Sequence, residues 1–281
     1  MQAFVSPPAA QVSESFADRY LTLPGAVLRY RDQGQGPAVL FVHGWTLDLE
    51  MWQPQVPALQ GTFRVVRFDR RAFGLSSGRA GLTHDISDIG ALCRHLAIER
   101  VALVGMSQGA RAVLGFASAF PDRVSCLILD GSPDCLRDGP APDDPPLDHY
   151  RELVRTHGIN AFRREWLTHP LATLVTSDPR PRELLAAMIA RYPANDLMGV
   201  AAEGAAAGPQ DTASIRAPVL VITGQHDVSS RIAAADALIR RLPCAQRAVI
   251  PAAGHLANLD NPMYYNAVVR EFLERHAVEP S

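Results

Sequence analysis

Signatures of metal, nucleotide, redox and membrane chemistry are missing from this chain. It has no G-x-x-x-x-G-K-[ST] phosphate loop, no G-x-G-x-x-G after a strand-like run and no H-E-x-x-H pair, so neither a metal nor an organic cofactor is predicted. Cysteine is scarce: Cys93, Cys126, Cys135 and Cys244 are widely spaced, form no C-x-x-C pair and mostly sit in apolar periodic segments. They read as reduced, structural thiols. No apolar run is long enough to span a bilayer, and the opening stretch MQAFVSPPAAQVSESF lacks the basic and apolar regions of a secretory signal. It reads as a partly ordered arm, and the expected location is the cytoplasm, away from membranes. Charge of one sign is missing too: the formal net charge is −2, and Arg70-Arg71 and Arg163-Arg164 are too short to be basic tracts. Nucleic acid is not an expected partner.

What remains is a composition near the average of soluble globular proteins, 47% hydrophobic and 20% charged over 281 residues. That length suits one large domain with an insertion rather than several domains of typical size. AVLRYRDQG, PAVLFVHG and FRVVRFD read as strands bounded by turn residues. HDISDIGALCRHLAI repeats apolar residues at Ile86, Ile89, Leu92, Cys93 and Leu96, which is helical spacing. VALVG then reads as a buried strand, QGARAVLGFASAF as a helix ended by Pro121, and VSCLILDG as the next strand. Such alternation predicts an α/β fold, a mostly parallel sheet with helices on both faces.

After Gly131 the chain turns rich in Pro and Asp, and no convincing strand follows until about residue 213. Residues 132–213 are expected to be a helical insertion, with helices in FRREWL, PRELLAAMIARY and the Ala-rich NDLMGVAAEGAAAG. The core domain is then 1–131 together with 214–281. Its second part resumes with a strand in APVLVITG, a helix around IAAADALIRRL, a strand near QRAVI, and a final helix with Asn261 as N-cap and Pro262 at N1.

The chemistry is concentrated at Gly105-Met106-Ser107-Gln108-Gly109, a G-x-S-x-G match. By composition alone such a match arises by chance in roughly one chain in ten of this length. Its position, with a buried strand leading in and a helix leading out, is that of a nucleophile elbow, where glycines two residues either side let strand and helix close around the serine. A serine hydroxyl needs a general base and an acid to orient it. His255, in PAAGHLANLDNP, and Asp227, just after VLVITGQH, fit in the expected chain order. His226, His149, His157 and His169 read as polar surface residues. Asp130, at the end of CLILD, is a rival acid because it also ends a strand next to the elbow. Backbone N–H groups of Gln108 and of Trp45, in FVHGW, are the expected oxyanion donors. His43 reads as a shaper of that loop.

These motifs, HGW, FDRRAFGLSS, GMSQG, VLVITGQHD and GHLANLDNP, resemble in order and spacing those of the α/β-hydrolase superfamily. The resemblance is strongest to cap-bearing serine esterases, enol-lactonases and haloperoxidase-like hydrolases. It implies a sheet of about eight strands, a helical cap after the strand ending near Asp130, and a triad of Ser107, Asp227 and His255. Ala72 and Ala110 depart from the pattern, standing where the family usually has glycine. The expected activity is cleavage of a small-molecule carboxylic ester or lactone. Trp45, Trp166, Leu167, Leu171, Met188 and Met198 are candidate substrate contacts, the last five reading equally as core of the cap. Carbon–carbon bond hydrolases, cofactor-free dioxygenases and non-catalytic receptors of the same fold are the alternatives.

Overall fold

The computed structural model describes residues 17–134, 140–199 and 212–277. The opening arm, Cys135 and most of the Ala-rich segment lie outside them. In chain order the elements are β1 (Arg19–Leu23), β2 (Ala26–Gln33), β3 (Ala38–Val42), α1 (Val56–Leu59), β4 (Arg64–Phe68), α2 (Leu82–His95), β5 (Val101–Met106), α3 (Gln108–Ala119) and β6 (Val124–Asp130). Between β6 and the next strand come α4 (Leu147–His157), α5 (Ile159–Trp166), α6 (Pro179–Arg191) and α7 (Asn195–Met198). The chain closes with β7 (Val219–Gly224), α8 (Ser229–Arg241), β8 (Ala245–Ile250), α9 (Ala257–Asp260) and α10 (Pro262–His276).

The eight strands form one sheet in the order β1-β2-β4-β3-β5-β6-β7-β8. β1 and β2 run antiparallel at one edge, and the strands from β4 to β8 are parallel. Alternate residues of the central strands feed two apolar layers. Phe41, Val104, Ile128 and Ile222 join the layer containing Val56, Phe272, the aromatic residues of α4 and α5, and Tyr192. Val42, Leu103, Leu129 and Val221 join the layer under α2, α3 and α8. Burial on both faces explains why these strands read as continuous apolar runs rather than as an alternation.

Four elements escape the sequence reading, and two of them, α1 and α9, are single turns of four residues. Of the others, β1 is a largely exposed edge strand and α4 buries only Tyr150. Helix α2 differs in its inward face: Asp85 and Asp88 are buried, while Ile86 is only partly so. Their carboxylates receive the adjacent arginines, Arg70 on Asp85 at 2.7 Å and Arg71 on both oxygens of Asp88 at 2.7 Å. Cys93 and Cys126 are free and buried, and burial pushes their thiols up to about 11 and about 12. Asn261 caps α10 by accepting from the Tyr264 N–H.

Ala72 sits within the arginine-bearing loop after β4, 2% exposed and at φ +68°. The chain therefore keeps the left-handed turn at this position without the residue that adopts it freely, at a cost of about 1 kcal/mol or more. Replacing Ala72 with glycine is expected to raise stability by about 0.5–1 kcal/mol, measured as a higher denaturation midpoint at unchanged slope.

Candidate active site

The carboxyl ends of β3, β5, β6, β7 and β8 carry His43-Gly44-Trp45, Ser107, Asp130-Gly131, Asp227 and His255 respectively, so the parallel sheet gathers residues 43 to 255 along one edge. Ser107 joins β5 to α3 with φ +52° and ψ −117°. Its N–H donates to Asp130 O at 2.8 Å, and its carbonyl accepts from Ala110 N at 2.9 Å. The flanking glycines are sterically required. A Cβ at Gly105 would come 2.4 Å from Gly109 O, and one at Gly109 would come 2.2 Å from Val42 O.

The imidazole of His255 is 3% exposed, with Nδ1 3.0 Å and 3.3 Å from the two oxygens of Asp227. Asp227 Oδ1 also accepts from Val228 N at 2.8 Å. An acid on Nδ1 puts the proton there and leaves Nε2 as the acceptor nitrogen. Gly131 opens the space for this ring: at φ +52°, a Cβ on it would lie 2.8 Å from His255 Cε1. No hydrogen bond within 3.5 Å joins the Ser107 hydroxyl to the imidazole among the described residues, a contact that often tightens only when substrate is bound.

Asp130 does not bond the imidazole. It is wholly buried, and neither carboxylate oxygen meets hydrogen-bond geometry with a described group. Burial first, and then repulsion from Asp227, raises its carboxyl well above the usual carboxylate range, opposed only by the Tyr265 hydroxyl.

Gly44 brings the β3 loop against the elbow, since a Cβ there would lie 3.3 Å from Ser107 Cβ. The next residue is Trp45. Gln108 is the first residue of α3, where an N–H has no acceptor within the helix. Its side-chain oxygen accepts from the Arg70 guanidinium at 3.3 and 3.4 Å. Among the described residues, no group of three or more His, Cys, Asp or Glu side chains is arranged to hold a metal ion.

Residues 37–262 match the family model described as the alpha/beta hydrolase fold. The chain belongs to the α/β-hydrolase fold family. It is similar to a thermophilic esterase from Thermogutta terrifontis solved with malate bound, at 30% identity and a TM-score of 0.79, covering 92% of this chain and 98% of that one. The enol-lactonase from Burkholderia xenovorans LB400 superposes with a TM-score of 0.78 at 27% identity, over 91% of this chain and 100% of that one. A curated relative, 3-oxoadipate enol-lactonase 2 of Acinetobacter baylyi, is 26% identical over 273 residues, 91% of this chain and 96% of the relative. Together these support an enzyme of the α/β-hydrolase superfamily acting on a small molecule. No helix among the described residues is long and apolar enough to cross a membrane.

In this α/β-hydrolase the helices between β6 and β7 cover the Trp45 side chain. Its indole sits among Tyr150, Phe162, Trp166 and Tyr192, with ring centroids 4.8 to 6.1 Å away. Of the candidate contacts, Trp166 and Leu171 belong to this buried layer, as does Met188 at 1% exposure. Leu167 and Met198 do not: they stand at the surface, 38% and 51% exposed. In α5 the inward pair is Phe162 and Trp166, one turn apart, which turns position 167 about 100° toward solvent. In α7 the buried residue is Leu197.

His169 also departs from its reading as a surface residue. It stacks on Trp166 at 4.7 Å, Nδ1 accepts from Leu171 N, and burial followed by the nearby His255 lowers its pKa. Sequence reasoning passed over Asp196 as well, whose carboxylate accepts from the Trp45 indole at 2.7 Å. No local signal marks a pairing across 151 residues.

His43 is wholly buried, donates from Nδ1 to Gly44 O at 2.8 Å and accepts the Arg70 N–H on Nε2 at 2.9 Å. Burial, then the Arg70 charge, lowers its pKa to about 3. A depressed histidine favours the folded state while the ring is neutral in both states. That preference is lost as pH falls below the ordinary histidine value and protons bind the unfolded chain first. Lowering pH from 7 to 5 should therefore remove about 2 kcal/mol through this ring. In His43→Asn, denaturation at the two pH values should show a loss smaller by that amount.

Proposed function

We propose that the protein is a serine hydrolase that cleaves a carboxylic ester or lactone through an acyl-enzyme on Ser107. The observation that carries this reading is a serine held at positive φ on a strand-to-helix turn, with a buried His255–Asp227 pair at the same sheet edge. Ser107 Oγ attacks the carbonyl carbon while its proton passes to His255 Nε2. Asp227 holds the ring and stabilises the imidazolium. Oxyanion charge collects on the N–H groups of Trp45 and Gln108, at the positive end of α3. Each such donor is worth on the order of 3 kcal/mol.

Collapse expels the alcohol with the proton from His255. For a lactone, that alcohol remains part of the acyl chain. Water then attacks the acyl-enzyme, gives its proton to His255, and releases the acid and the free Ser107 hydroxyl. In this reading residues 132–213 are a cap over the cleft, and the rings around Trp45 form its apolar wall. Similarity to an esterase and to enol-lactonases supports both ester and lactone as substrate classes.

A fluorophosphonate probe followed by peptide mapping tests the reading without knowledge of the substrate. The adduct should fall on Ser107 and disappear in His255→Ala; failure of the folded protein to label would overturn the reading. Asp227→Asn should lower kcat by roughly 10⁴ through the wrong imidazole tautomer. Asp130→Asn should lower it far less, because Asp130 is not bonded to the ring. The reverse ranking would move the acid to Asp130.

A further inference from the structure

The loop after β3, which carries the proposed oxyanion donor at Trp45, is gripped from the cap at four nearby positions. The Trp45 indole N–H donates to Asp196 Oδ2 at 2.7 Å, and the Tyr192 hydroxyl donates to the other Asp196 oxygen at 2.5 Å. Thr46 accepts the Trp166 indole N–H at 2.7 Å. Arg191 reaches Asp48 at 2.8 Å and Glu50 at 3.0 Å. Trp45, Thr46 and Asp48 are all buried. Thr46 stands at φ +63°, a conformation that a β-branched residue keeps only when its surroundings over-determine it.

These bonds differ in what they fix. Those of Arg191 and Trp166 hold the far side of the loop and its strained residue. Asp196 accepts from the indole of the residue whose backbone N–H faces the oxyanion in the proposed mechanism, a directional bond that the rings packed on that indole do not supply. A partly buried carboxylate that receives two N–H or O–H donors defines both a distance and a direction for the Trp45 ring, and through Cα for the peptide N–H beside it. Donor placement matters on this scale, because a shift of about 1 Å in a catalytic group can cost 10²-fold.

We propose that Asp196 is a positioning residue that acts through the Trp45 indole to set the oxyanion hole, so that the hole is complete only while the cap is seated. This inference rests on the acyl-enzyme reading of the site. It makes the cap a part of the reaction centre as well as its cover: withdrawal of α7 would release Trp45, and closure over a bound substrate would re-form the donor.

The test is inactivation by a fluorophosphonate, whose phosphonyl oxygen occupies the oxyanion hole, resolved into a limiting rate and a half-saturating concentration. Asp196→Ala should lower the limiting rate by about 10- to 100-fold, short of the full loss of a donor, with half-saturation changed less than about threefold. Asp196→Asn keeps an oxygen for the indole and should stay within about threefold of the parent rate. Trp45→Phe keeps a ring but loses the N–H and should match Asp196→Ala.

In the double variant the losses should not multiply, because both changes remove one interaction. Multiplying losses, or an unchanged limiting rate in Asp196→Ala, would overturn the inference. If Asp196→Ala does not fold, as judged by its melting transition, an unchanged rate in Trp45→Phe does the same. A parent protein that never labels on Ser107 defeats the hydrolase reading instead, while a labelled parent with insensitive variants defeats only the role of Asp196.

Discussion

The site depends on one steric constraint, the close approach of backbone to backbone around Ser107. Its positive φ costs about 1–3 kcal/mol, and the turn exists only because Gly105 and Gly109 let helix α3 settle against the carbonyls at the end of β3. Directional bonds then secure it from both sides, with Ser107 N–H on Asp130 O and Ala110 N–H on Ser107 O. From this turn follow the placement of Ser107 at the sheet edge, the aim of the helix N-terminus, and the nearness of the β3 loop that Gly44 permits. The energy to hold the turn comes from elsewhere, chiefly from a sheet buried on both faces.

Electrostatics divide the labour between two acids that could otherwise compete for one imidazole. Two carboxylates this close cannot both ionise cheaply. Asp227 is served by the Val228 N–H and the His255 ring, whereas Asp130 has only an imperfect approach to Tyr265 and no exposure to solvent. Asp227 is therefore the acid bonded to the ring, while burial holds the Asp130 carboxyl above the usual carboxylate range. An acid bonded to Nδ1 is what an imidazole that must gain a proton needs.

Chain-local features were legible in the sequence. The strand-to-helix setting of the G-x-S-x-G match identified the turn at Ser107, and Asn261 with Pro262 marked the start of α10. Pairings that depend on the assembled fold were not legible. The burial of Asp85 and Asp88 reverses the usual reading of an acidic helix face, and it follows only once Arg70 and Arg71 arrive from the loop after β4. Leu167 and Met198 were placed in the cleft by residue type, while helix phase turns them outward. Asp196 sits in a helix of four residues, too short to carry a period.

Arginine ties these parts together. The chain contains no lysine, so every ion pair between side chains is made by a guanidinium fork or a histidine, and a fork can hold several acceptors in fixed directions at once. Arg70 uses this fully: its guanidinium reaches Asp85 on α2, Gln108 at the elbow and the carbonyl of His43, while its backbone N–H is accepted by His43 Nε2. The arrangement is self-consistent. The Arg70 charge helps keep His43 neutral, and a neutral His43 is the only form able to accept the Arg70 N–H. Hydrophobic burial, being non-directional, can choose the sheet and its two layers. The position of an N–H relative to an oxyanion is set by polar contacts of this kind, each holding a backbone segment that the apolar core leaves free to shift.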